Sequence, residues 1–138
     1  MKKTALGVAC FLASCAMAGP SARPADLRIS HSNLVATCFA GKPVSDGQRS
    51  WNVTGPVSMT FTMRNQPRPG IANGDPGIAV VRFTPVADHK YEIEVRGDAA
   101  AYSTRVWKRG EWRPVVRDRT TDQIVSGDPT WIDGGCGD

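Results

Sequence analysis

Val57-Ser58-Met59-Thr60-Phe61-Thr62-Met63 carries an apolar side chain at every odd position and a hydroxyl or small polar group between them. Successive side chains of a strand point to opposite faces, so this alternation predicts a strand with one buried and one wet face, as in an antiparallel sheet. Gly77-Ile78-Ala79-Val80-Val81-Arg82-Phe83 is more continuously apolar and predicts a central strand. Tyr91-Glu92-Ile93-Glu94-Val95-Arg96 alternates again, with Tyr91, Ile93 and Val95 inward. Its polar side, Glu92, Glu94 and Arg96, reads as a solvated face.

Further strands are expected at Leu34 to Phe39, Ser50 to Thr54, Tyr102 to Lys108 and Glu111 to Val116, with a last short one around Ile124 and Val125. Arg109-Gly110 is the expected hairpin turn between two of them. That register sets Trp107 opposite Trp112 and Lys108 opposite Glu111, an aromatic pair contributing roughly 0.2–1 kcal/mol. Gly41-Lys42-Pro43, Ser45-Asp46-Gly47, Gly74-Asp75-Pro76-Gly77 and Gly127-Asp128-Pro129 supply turn chemistry between the runs. About seven or eight short strands separated by frequent turns predict an all-β domain. The expected architecture is a single antiparallel β-sandwich, immunoglobulin-like or transthyretin-like, with a small closed β-barrel as the alternative.

Composition narrows the class. The chain has 138 residues, 41% hydrophobic and 22% charged, with 14 Gly and 10 Pro. That fits one domain and argues against a helical bundle, and no apolar run reaches the ~18–20 residues of a membrane-spanning helix. Residues 1–20, MKKTALGVACFLASCAMAGP, pair a basic start with a short apolar stretch and then small residues, the layout of a secretory signal. Within it, Leu12-Ala13-Ser14-Cys15 resembles the lipobox of bacterial lipoproteins. The resemblance implies a lipid on Cys15 and an outer-membrane address, since Ala16 follows. Ordinary cleavage after Ala16-Met17-Ala18 would instead release a soluble periplasmic protein.

The expected organisation is therefore a signal peptide over 1–14, an Ala/Pro-rich tether over 15–27 and a β-domain over 28–138. In whole-chain character it is similar to small β-sandwich lipoproteins of Gram-negative envelopes. Cys38 and Cys136 are the two thiols of the folded part, and an oxidising compartment predicts that they pair. The alternative of a metal site is weakened by the absence of a C-x-x-C motif and by a histidine count of two. No cofactor or metal is expected. Loss of Lys2 and Lys3 with the leader lowers the formal charge from +4 by two, and no continuous basic stripe marks a nucleic-acid binder.

Candidate contact residues fall in two places. Arg117-Asp118-Arg119 follows an apolar strand, and Arg117 and Arg119 are suited to binding an anion or a partner. The simpler reading of the same residues is a local network, with Asp118 or Asp122 capping a turn and the arginines paired to nearby acids. The connection from Arg64 to Pro76, about thirteen residues long, offers Arg64, Arg68 and Ile71 to a protein or glycan partner.

Catalytic motifs are missing. Ser30-His31-Ser32 and Asp88-His89 are only sequence neighbours, His89 reads as an exposed turn residue, and the acidic C-terminal segment lacks calcium-loop spacing. The expectation is a non-catalytic envelope lipoprotein, held to the membrane by its lipid, that serves interaction or structural support. A binding or inhibitor module for a periplasmic enzyme such as lysozyme is the alternative, and a small hydrolase relying on His31 or His89 is the remaining one.

Overall fold

The computed structural model describes residues 23–45, 47–65, 69–70, 74–98, 101–102 and 105–137. The expected signal, Cys15, Arg68 and Ile71 lie outside them. Ten strands are described in chain order: β1 (Ala25–Ile29), β2 (Leu34–Phe39), β3 (Lys42–Pro43), β4 (Ser50–Val53), β5 (Val57–Met63), β6 (Ile78–Phe83), β7 (Lys90–Gly97), β8 (Trp112–Asp118), β9 (Gln123–Ile124) and β10 (Thr130–Ile132). They form a first sheet, β4-β1-β7-β8-β9, and a second, β10-β6-β5-β2-β3. The sheets pack face to face without closing into a barrel, so the fold is the expected β-sandwich. One pairing departs from antiparallel order: β1 runs parallel to β7.

Alternation explains the core. Leu27 and Ile29 of β1, Val57, Met59, Phe61 and Met63 of β5, and Tyr91, Ile93 and Val95 of β7 all turn inward and are buried together. Burying one such aliphatic or aromatic side chain contributes about 1.5–3 kcal/mol. Phe39 and Trp51, partly buried, stack across the two sheets at one edge with ring centroids 6.0 Å apart.

A β-bulge gives the second sheet its unusual outer face. Ala36 pairs with Phe61, but Cys38 pairs with Thr60, so β2 holds one extra residue there. The slip turns Cys38 to the same outer side as Thr60. On that side Cys38, Thr60 and Val80 are all buried, although none belongs to the central cluster. What buries them is the C-terminal segment after β10. Cys136 bonds to Cys38 with Cα atoms 5.7 Å apart, across a sequence separation of 98. Gly137 donates its N–H to Thr60 Oγ1 at 3.3 Å and accepts from Ser58 Oγ at 3.5 Å. Residue 137 is glycine for a steric reason, since a Cβ there would run into Val80. The start of this strap is tied by Arg109, which bonds Asp133 at 3.0 Å and lies over the Trp131 ring.

Two expectations on the strands are corrected. Ala25–Leu27 belong to β1 instead of ending the tether, because Ala25 and Leu27 face the core on alternate positions while Asp26 points out. The described residues of the expected strand from Tyr102 to Lys108 are not in one: Ala101 and Tyr102 sit in a helical turn, Arg105 takes a positive φ of 58°, and 105–108 carry no ladder. Gly97, not Trp107, stands opposite Trp112 in the sheet. Arg109-Gly110 is nevertheless a turn, closed by the Glu111 N–H bond to Lys108 O at 2.9 Å. Burial of Trp107 overrides the strand pattern. Its ring meets Tyr102 and His31 edge to face, and Asn65 holds its backbone from both sides.

Candidate functional site

The outer face of the first sheet is open and charged. Register sets its polar side chains in two rows across neighbouring strands. One row runs Asn52, Asp26, Lys90 and on to Arg119, just past the end of β8; the next runs Ser50, Arg28, Glu92 and Arg117. Neighbouring strands lie about 4.8 Å apart, so each row is a ladder of side chains at that spacing. The first row, with Arg28, Ser50 and Glu92, lines a cleft of about 600 Å³.

The two rows differ in how their charges are used. In the second, Arg28 donates to Glu92 at 3.2 Å, and Arg117 donates to Glu94 at 2.8 Å and to Asp122 at 3.4 Å. In the first, the side chains of Asp26, Lys90 and Arg119 have no hydrogen-bond or ion-pair partner among the described residues. The backbone that carries them is fixed, however. Arg119 N–H bonds Lys90 O at 2.6 Å, Lys90 N–H bonds Thr120 Oγ1 at 3.1 Å, and Asp26 N–H bonds His89 O at 3.1 Å. One acid and two bases thus project into one cleft from a rigid floor.

Beneath the end of this cleft lies a buried polar cluster. His89 Nδ1 and Asp118 Oδ2 are 2.6 Å apart, with Asp118 almost inaccessible. Asp118 Oδ1 accepts from the N–H groups of Thr120 and Thr121, capping the turn into β9. Burial pushes the Asp118 carboxyl up, but the His89 bond and the two backbone donors outweigh it and hold the carboxyl below its ordinary value. Ionised Asp118 can only accept, so the proton of the shared bond sits on His89 Nδ1. The His89 ring stacks near Tyr91, whose hydroxyl accepts the Val86 N–H at 2.8 Å. The arrangement clamps the β6–β7 turn to the β8–β9 turn.

Several expected sites move accordingly. His89 is not an exposed turn histidine; its side chain is 24% exposed and bonded to Asp118, because the positive φ of 65° at Asp88 swings it inward. Glu92 and Glu94 are not simply solvated but mostly covered and paired with arginines. Arg117 pairs with Glu94 and Asp122, the kind of contact the local-network reading described, whereas Arg119 lines the cleft. Arg64 is exposed at the start of its loop, and its N–H bonds Asn33 O. His31 is partly buried; its Nδ1 accepts the Asn33 N–H, and burial followed by nearby Arg49 lowers its pKa. The structure does not bring His31 and His89 into one site. Asp26, Arg28, Asn52 and Lys90 were missed as site residues, since the signal that joins them is strand register and not local spacing.

Among the described residues no three His, Cys, Asp or Glu side chains group to hold a metal, and no helix is long and apolar enough to cross a membrane. Comparison with known proteins returns no match: no family model, no curated protein and no solved structure is similar to the chain.

Proposed function

We propose that the chain is a non-catalytic, lipid-anchored envelope protein whose β-sandwich presents the outer face of the first sheet to a partner in the periplasm. The observation that carries this reading is the asymmetry of the two outer faces: one is covered by its own C-terminal strap, the other is an open cleft whose Asp26, Lys90 and Arg119 side chains have no partner among the described residues. The Cys38–Cys136 bridge supports export, because such bonds persist in oxidising compartments. The Leu12-Ala13-Ser14-Cys15 run supports the lipid anchor. One acyl chain gives only marginal membrane binding, and several together give a durable hold. Cross-linking in the native membrane is expected to capture one reproducible partner, and Cys15→Ser is expected to release the protein from the membrane fraction. A Cys15→Ser protein that stays membrane-bound contradicts the anchor.

A second reading, an inhibitor of a periplasmic enzyme such as lysozyme, is favoured by Asn65. Its side chain bonds Gly74 O at 2.9 Å, Trp107 O at 3.1 Å and Trp107 N at 2.6 Å, so the base of the Arg64 loop is pinned. Pinning lowers the ordering cost of binding through a loop. Joint Arg64→Ala and Arg68→Ala replacement should then abolish enzyme capture with the fold intact. Unchanged capture removes this reading.

A further inference from the structure

We propose that the cleft on the first sheet binds the two ends of a short zwitterionic peptide, the ammonium at Asp26 and the carboxylate between Lys90 and Arg119. The inference deepens the proposed binding role and rests on it. Three observations carry it. Asp26, Lys90 and Arg119 line one cleft, and their side chains have no partner among the described residues. They come in the order acid, base, base along one row, because Asp26 pairs with Lys90 in the parallel ladder and Arg119 is held against Lys90 through its backbone. In the adjacent row Arg28 and Glu92, which also line the cleft, are bonded to each other.

Size agrees with charge. The row spans one to two strand spacings from Asp26 to its bases, or about 5–10 Å. A chain of two or three residues covers that distance, at roughly 3.3–3.6 Å per residue. The cleft of about 600 Å³ has room for such a molecule. A guanidinium and an ammonium side by side suit a carboxylate, Arg119 by a forked pair of bonds and Lys90 as a point charge. Asn52 and Ser50 stand beside the acid with neutral donors and acceptors for a peptide group. A simple anion would leave Asp26 as a repulsive neighbour, so the acid selects for a ligand that also carries a positive end.

The test is titration of the full chain in detergent with dialanine, followed by amide chemical shifts and calorimetry. Saturable binding is expected, with shifts at residues 26, 52, 90 and 119. N-acetylation or C-amidation of the dipeptide should each weaken binding by at least about tenfold, the loss expected for one charged hydrogen-bonding group. Arg119→Gln, at an exposed side chain with no partner among the described residues, should weaken dialanine binding while leaving the melting temperature unchanged. Equal binding of acetate and dialanine overturns the proposal, as does binding untouched by Arg119→Gln. If dialanine fails to bind while a photo-cross-linker at position 52 still captures a partner, the zwitterion proposal falls and the binding face stands. If both fail, both fall.

Discussion

The two sheets of this sandwich share one core but treat their outer faces in opposite ways. On the second sheet a bulge rotates Cys38 outward, and the strap it bonds covers Thr60 and Val80, so that face has its own lid. On the first sheet the outward charges are paired in one row and, among the described residues, without partners in the next. A covered face is spent on stability, and an open one with uncompensated charge remains available for binding. The difference also predicts where substitutions hurt: the strap side should carry folding free energy, and the cleft side should carry recognition with little effect on folding.

The largest expected effect is loss of the bridge. Cys38→Ala with Cys136→Ala should lower stability by about 4–5 kcal/mol on chain-entropy grounds for a loop near 100 residues, read from urea denaturation. A loss below about 1 kcal/mol would mean that the strap does not constrain the unfolded chain as its loop length implies.

Next comes Asp118→Ala, which strips His89 and two backbone donors of a buried acceptor and should cost about 2–4 kcal/mol. The same group sets an acid limb. Because its folded pKa lies below the unfolded one, its contribution is complete above the ordinary carboxylate range and is lost as pH falls through the lowered folded value. Urea melts between pH 2 and 5 should show a shallower pH dependence in the variant than in the parent. His31 acts at milder pH. Its lowered folded pKa means that the unfolded chain takes up the proton first, so stability falls as pH drops below about 6.5 and levels off once the folded imidazole is protonated. His31→Gln should flatten that step.

The strap-side counterpart is Gly137→Ala, whose Cβ would meet Val80 and should cost about 1–2 kcal/mol through overpacking or displacement of the strap end. Smallest is Arg28→Gln on the open face, which breaks the exposed pair with Glu92 and should change stability by about 0–1 kcal/mol. If Arg28→Gln proved more damaging than Gly137→Ala in thermal melts, the division of labour between the faces would be reversed.

Much of the fold could be read from periodicity, and the reasons are local. Val57–Met63 alternates residue by residue, so β5 was expected with its boundaries, and the pairing of Cys38 with Cys136 followed from thiol number and compartment. What escaped depends on tertiary context. β1 begins after Arg23-Pro24, where Ala25 and Asp26 look like tether, and its inward Ala25 is too small to announce a strand. β10 is three residues among turn formers, and it exists because β6 offers it an edge. Trp107 carried a strand-like neighbourhood, yet it was drawn into the core by contacts with His31, Tyr102 and Asn65. The candidate site was the least readable part. Arg119 was visible in the sequence, but Lys90 becomes its neighbour through the antiparallel β7–β8 pairing, and Asp26 joins them through a parallel β1–β7 pairing that no local pattern encodes.

The most direct test of the open-face account is site-specific photo-cross-linking in the native envelope from two positions, residue 52 on the cleft and residue 134 on the strap side. The account predicts a discrete partner adduct from position 52 and none from position 134. An adduct from position 134 alone would place recognition on the covered face and contradict it.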